Sequence, residues 1–235
     1  MTPSITGGTG SIPWEDGKAL LPTNLLNIVW ADYEIAKDIR VGYWQRMNVN
    51  LISSPRGNGV HTVMRNPRFA IRKLNVYNVV GLNTIYDFYV QPGFAPESRP
   101  DAMGRSLEFG FRTSHAYPIP ASRFNVGLVT EVTKAFSFNG DPVANVYGWA
   151  MPWTSYDLSK TFSTQHIMSV SFQQLSKDPW YRVVHDYPMP LAIQNGIGIN
   201  LSENISTSLL VNNYLNTAPT LKNTWASLWL MMTIL

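Results

Sequence analysis

Cysteine is absent from this 235-residue sequence, which excludes a disulfide framework and thiolate metal sites alike. Charge is scarce too. Asp, Glu, Lys and Arg make up 14% of the chain, where an ordinary soluble domain carries about a quarter. The formal excess of +3 comes with no block of clustered Lys or Arg, so nucleic acid is not an expected partner. No apolar run approaches the roughly 18 residues that would mark a spanning helix. The opening MTPSITGGTGS lacks a basic region followed by an apolar stretch, so if the protein is exported the sequence is expected to be a mature or re-engineered form. GGTGS also lacks the Lys and following helix of a phosphate-cradling loop. His, Asp and Glu do not fall at metal-ligand spacing. No cofactor is expected.

What the chain has instead is alternation. In LAIQNGIGINL, Leu191, Ile193, Ile197, Ile199 and Leu201 share one parity, and Ala192, Gln194, Gly196, Gly198 and Asn200 the other. A period of two marks a strand with unlike faces. Residues 39–51, 79–91, 104–117, 123–138 and 160–175 repeat the pattern. Val41 and Tyr43 oppose Arg40, Gly42 and Arg46; Phe109 and Phe111 oppose Glu108, Gly110 and Arg112; Val126, Leu128 and Val132 oppose Asn125, Gly127 and Glu131. Less regular candidates cover 24–36, 66–77, 143–157, 204–216 and 224–235. Together they make about eleven strands of the ten or so residues that cross a bilayer at a tilt. Bacterial single-chain barrels have even strand numbers, so a twelfth is expected from residues 1–23.

The connections alternate as well. AK, a single Asn, PIPAS, LS and SE are tight; SSPRGNGVHTVMR, PGFAPESRPDAM and SKDPWYRVVHDYP are long and rich in Pro, Gly and charge, with NGDP a short exception. Short turns at one end and long loops at the other are the habit of outer-membrane barrels, not of Greek-key sandwiches. Tyr43, Tyr89, Tyr117, Tyr147, Trp149, Trp153, Tyr214, Trp225 and Trp229 lie in the strands and suit interfacial aromatic girdles, although a sandwich core would bury them equally well.

The last segment, TWASLWLMMTIL, resembles the C-terminal signal by which outer-membrane barrels are recognised for insertion. Trp225, Trp229, Met231 and Leu235 fit its alternation; Thr233 and a terminal Leu in place of an aromatic depart from it. The order PRFAIRKLNVYNVVGLNTIYDFYVQP, then NGIGINLSENISTSLLVNNYL, then a terminal strand resembles the porin-like major outer-membrane proteins of predatory Gram-negative bacteria, of the Bdellovibrio type, over about 210 residues of layout. The likeness implies an outer-membrane location and hints at trimers or rings of identical copies.

The expected architecture is all-β: a transmembrane antiparallel up-and-down β-barrel of about twelve strands, ten to twelve being the range. Residues 24–235 form the barrel, and 1–23 serve as first strand, plug or tail, in that order of preference. The alternation sends Arg40, Arg46, Arg68, Arg72, Arg112 and Arg123 into the lumen with Asp32, Glu34, Asp87, Glu108 and Glu131. A barrel of this size is narrower than a 16-stranded porin, so these groups should meet across the bore. They either brace it by ion pairing or leave a surplus of arginine that favours small anions. An enzyme is not expected: His166 and Ser169 lie on opposite faces, as do His115 and Ser114, and the His185–Asp186 pair sits alone in a loop. The function that follows is porin-like passive diffusion of small solutes or ions. The alternative is a closed or plugged barrel with a structural or adhesive role. Lipid and lipopolysaccharide are the expected partners on the outer wall.

Overall fold

In the computed structural model the described residues are 2–7, 14–15, 18–19, 24–50, 61–64, 66–77, 80–93, 105–137, 144–175, 182–184, 191–215 and 224–233. Every regular element among them is a strand. Twelve belong to one ring: β1 (Thr2–Gly7), β2 (Asn24–Ala36), β3 (Ile39–Asn50), β4 (Arg68–Leu74), β5 (Asn83–Pro92), β6 (Arg105–Pro118), β7 (Phe124–Ser137), β8 (Ala144–Asp157), β9 (Phe162–Leu175), β10 (Ala192–Ser202), β11 (Ile205–Tyr214) and β12 (Thr224–Thr233).

Each strand pairs antiparallel with its sequence neighbours. Thr2–Gly7 then closes the ring, pairing with β2 on one side (Ser4 opposite Trp30) and β12 on the other (Thr6 opposite Met231). Closure pairs the two terminal edges of the sheet with each other, as strands in lipid require. His61–Met64 adds to β3 and Arg182–Val184 to β9, both from the longer connections, while Trp14–Glu15 and Lys18–Ala19 form a small hairpin of their own.

The short connections cluster at one end of the ring. Residues 37–38, 119–123, 158–161 and 203–204 turn with few residues, and small polar side chains hold several of them: Ser159 Oγ accepts from the backbone N–H of Thr161 and Phe162, and Ser122 Oγ from that of Phe124. The turn between β4 and β5 is longer than the single residue expected. The ladder ends at Leu74, Asn75 takes a left-handed φ of 49° and donates through Nδ2 to Asp38 Oδ1 at 3.1 Å, and Gly81 turns back at φ 81°. Val80, read as part of the strand's apolar face, is therefore an exposed turn residue, 96% accessible.

Period two becomes two unlike surfaces. Val29, Tyr33, Val41, Tyr43, Phe69, Ile71, Phe88, Phe109, Leu128, Val132, Met168, Ile197, Leu209, Leu228 and Leu230 all point outward and are exposed. An apolar belt running around a closed wall far exceeds what a soluble monomer leaves in water, and hydrocarbon is the solvent that suits it. In LAIQNGIGINL the apolar parity, Ile193, Ile197 and Ile199, accordingly faces lipid.

Several aromatics expected at the interface face inward instead. Tyr89, Tyr147, Trp149 and Trp153 share a face with Glu131 and Gly110 by register, and Trp229 pairs with the inward Ser208. In β12 the outward residues are Leu228 and Leu230, so Trp229 and Met231 lie on the lumenal parity. Leu235 lies outside the described residues. The outward girdle at the turn end is made by other rings, among them Tyr86, whose hydroxyl donates to Tyr77 at 2.9 Å, with His115 packed against both.

Candidate functional site: the lumenal charge belt

The inward face of β2 to β7 carries the charges. Arg68 on β4 reaches Glu131 on β7, three strands away, with two parallel N–H to oxygen bonds of 3.1 Å. Its Nε donates to Gln91 Oε1 at 2.7 Å, Gln91 passes a bond of 2.8 Å to Glu108, and Tyr147 OH donates to the same Glu108 oxygen at 2.9 Å. Arg72 bridges two carboxylates: it donates to Asp87 at 2.6 Å and is bonded to Asp32. Arg68, Glu131, Arg72, Asp32 and Asp87 are all buried. Charge-assisted, forked contacts of this kind are what make ion pairs tolerable away from bulk water.

Glycine makes the span possible. The Tyr89 ring on β5 lies flat across β6 at Gly110, where a Cβ would run into the phenol. From there its hydroxyl donates to Glu131 Oε1 at 2.8 Å and shares a 2.6 Å bond with Thr133, both on β7. The Arg68 guanidinium sits 4.2 Å over the ring centroid, a cation–π contact that packs the free face of the phenol. Because Tyr89 is held at its hydroxyl by two partners and on its ring face by Arg68, it has little freedom to yield. Gly110→Ala is expected to destabilise the barrel by about 1 to 3 kcal/mol, as overpacking does elsewhere; urea unfolding in detergent or lipid reads it, and a neutral result would remove Tyr89 from this role.

A second feature crosses the bore. Trp30 and Trp44 pack at 5.6 Å, Arg72 lies over both at 5.3 and 5.5 Å, and Arg112 lies 5.3 Å from Trp44 and 5.9 Å from Trp149 on β8. Rings and guanidiniums thus alternate from β2 to β8. Among the described residues Arg112 has no carboxylate within ion-pair distance. Trp44 Nε1 is buried and likewise has no acceptor.

The remaining sequence candidates divide. Arg40 faces Glu34 at 3.7 Å near the turn end. Arg46 pairs in register with Ile28 on the inward parity. Arg123 sits in the turn before β7, exposed, its guanidinium donating to the Leu158 carbonyl at 3.2 Å. Counting by register, five arginines and five carboxylates therefore share the inner wall of β2 to β7. Sequence reading missed Tyr89, Gln91, Trp44 and Tyr147 as members of the belt. Their inward parity is legible, but the sequence reading places Tyr89 and Tyr147 in the interfacial girdle and Trp44 and Gln91 on neither face.

The histidines are scattered. His166 faces outward and bonds Asn195 at 2.8 Å, while Ser169 faces inward and is fully buried. His61 lies in the short strand beside β3, and His185 falls outside the described residues.

A closed ring of antiparallel strands, apolar outside and polar inside, with short turns at one end, is a transmembrane β-barrel of the outer-membrane kind. Among solved structures the chain is similar to an outer-membrane channel from Pseudomonas putida F1, with a TM-score of 0.60 and 10% identity over 99% of this chain and 95% of that one. It is similar also to the NanC porin, with a TM-score of 0.54 and 8% identity over the whole of both chains. At such identities the likeness is one of fold. No protein-family model and no curated protein matches the sequence.

Proposed function

We propose that this barrel is a porin-like channel through which small hydrophilic solutes cross an outer membrane passively. The observation that carries the reading is the polar, charge-bearing inner face set inside a lipid-compatible outer belt: a purely structural barrel has no need of ten ionisable groups on the inner wall of β2 to β7. The resemblance in layout to the porin-like proteins of predatory bacteria points the same way. In this reading the Arg and Glu belt is the narrow level of the path. Arg40, Arg46, Arg68, Arg72, Asp87, Glu108, Arg112 and Glu131 line it, and Arg112, which among the described residues meets no carboxylate at ion-pair distance, is a cation for passing ions to meet. The exposed Arg123 lies at the turn-side mouth.

Arg112→Glu puts one negative charge where a positive charge stood, a change of two units, next to Asp87 and Glu131. The zero-current potential across a planar bilayer under a potassium chloride gradient should shift toward cation preference, with folding retained. An unchanged potential would take Arg112 out of the path.

The second reading, a closed structural or adhesive barrel, is favoured by one observation. Every strand from β2 to β12 contributes at least one inward residue that is buried, from Asp32, Trp44 and Arg68 around to Ser171, Gln194, Asn212 and Ser227. The two readings part on conductance: a narrow path gives small discrete steps, and a sealed belt gives none.

A further inference from the structure

Among the described residues of the twelve ring strands, the charges of the inner wall gather on one side, and Arg182 of the short strand beside β9 lies in register opposite the inward Gln173 on the other. On β8 to β12 and on β1 the inward positions are Ser, Thr, Gln, Asn, Gly and apolar residues, and the sole exception among them is Asp157 at the turn end of β8. The opposite side carries arginines and carboxylates in equal number, most of them bonded to one another. Taken together the two sides offer a mobile ion little net attraction, and they offer a neutral polar molecule many donors and acceptors.

At the turn-side end of this uncharged wall the side chains are half-exposed, in contrast to the buried belt deeper in. Trp153 is the centre of that region. Its indole lies across Gly127, where a Cβ would strike the Nε1, Cε2 and Cζ2 side of the ring, and the side chain stays half-exposed. Beside it Asn125 Nδ2 donates to Ser155 Oγ at 3.3 Å and to Asp157 Oδ2 at 3.2 Å. Gln165 pairs in register with Ser155, and its amide lies over Gly198, which has no side chain to displace it.

We propose that Trp153, with Asn125, Ser155 and Gln165, forms a docking platform for neutral polyhydroxylated solutes such as sugars at the turn-side mouth. The assignment rests on the channel reading above and names the class of solute it favours. A pyranose has an apolar C–H face and a rim of hydroxyls. A flat indole suits the face, and amides and hydroxyls, each able to donate and accept, suit the rim. Few convergent polar groups around an apolar surface are the usual make-up of a small-molecule site. The one carboxylate at the platform already accepts from Asn125, and the nearby Arg123 guanidinium already donates to the Leu158 carbonyl, so the polar groups left to a solute are chiefly amides and hydroxyls.

The test is blocking of ion current by sugar. Single channels in planar bilayers are recorded in potassium chloride, with maltose titrated on both sides and glucuronate in a separate arm. Maltose should reduce the current saturably. Trp153→Ala should weaken the apparent affinity about tenfold, equivalent to about 1.4 kcal/mol. Trp153→Phe, which keeps a flat ring, should restore most of it, and Gln165→Ala should give a smaller loss. Potassium chloride steps that ignore maltose, equal block of wild type and Trp153→Ala, or tighter block by glucuronate than by maltose would each overturn the platform while leaving the channel standing. Absence of any steps from inserted protein would overturn the channel reading and the platform with it.

Discussion

Arg68→Ala should cost the folded barrel about 3 to 5 kcal/mol, the usual penalty for removing one partner of a buried ion pair. The geometry explains why so exposed a class of residue is so costly here. Arg68 holds Glu131 with two bonds of 3.1 Å, binds Gln91 at 2.7 Å and stacks on Tyr89, so truncation strips four contacts from side chains that are themselves shut off from solvent. Glu131 keeps the Tyr89 hydroxyl but loses its forked cation. Replacing both partners by apolar residues of like volume, Arg68→Met with Glu131→Leu, should recover most of the loss, because no buried charge is then left behind. Urea titration of folding into lipid vesicles measures both. A single variant as stable as the wild type would mean that water reaches this pair, and the belt would then be a wet surface instead of a packed one.

Leu128→Arg should lower stability by about 2 to 4 kcal/mol if its level is near the bilayer midplane, the cost of a guanidinium facing hydrocarbon on a barrel wall. Leu128 points outward from β7, between inward Gly127 and buried Val129, and is exposed. Ile197→Arg on β10 tests the other side of the ring in the same way. The control is Ser206→Arg, at an inward and half-exposed position of β11, which should be tolerated far better. A neutral effect at Leu128 and Ile197 in lipid, or an equal penalty at all three sites, would contradict the assignment of faces on which the whole account depends.

Much of this fold was legible because a strand's period is two and nothing else in the chain interferes with it. LAIQNGIGINL, RFNVGLVTEV and IRVGYW each present their faces in the sequence as the ring presents them in space. Tight turns such as residues 203–204 between β10 and β11 were visible as two polar residues between periodic runs. The β4 to β5 turn was not, because Val79 and Val80 continue the apolar flavour of a strand past the point where Asn75 ends the ladder. Arg123 has lumenal parity, yet parity means nothing one residue before the strand begins.

The site was legible as a set of residues and not as a set of contacts. That Arg68, Glu108 and Glu131 face inward follows from alternation. That Arg68 bonds Glu131 across three strands follows from the curvature of a closed wall, the reach of the side chain and the gap at Gly110 that lets Tyr89 lie between them, none of which a single strand reveals. The inward tryptophans were misread for a related reason. An aromatic ring satisfies a lipid interface and a half-wet lumen equally well, and only register distinguishes the two.

The most direct test of the central claim is electrical. Protein refolded in detergent and shown by flotation to enter liposomes is added to a planar bilayer in potassium chloride. The account predicts small discrete conductance steps, with Arg112→Glu moving the zero-current potential toward cation preference. Protein that floats with the liposomes and carries no current at any applied voltage would contradict a channel and leave a sealed barrel in its place.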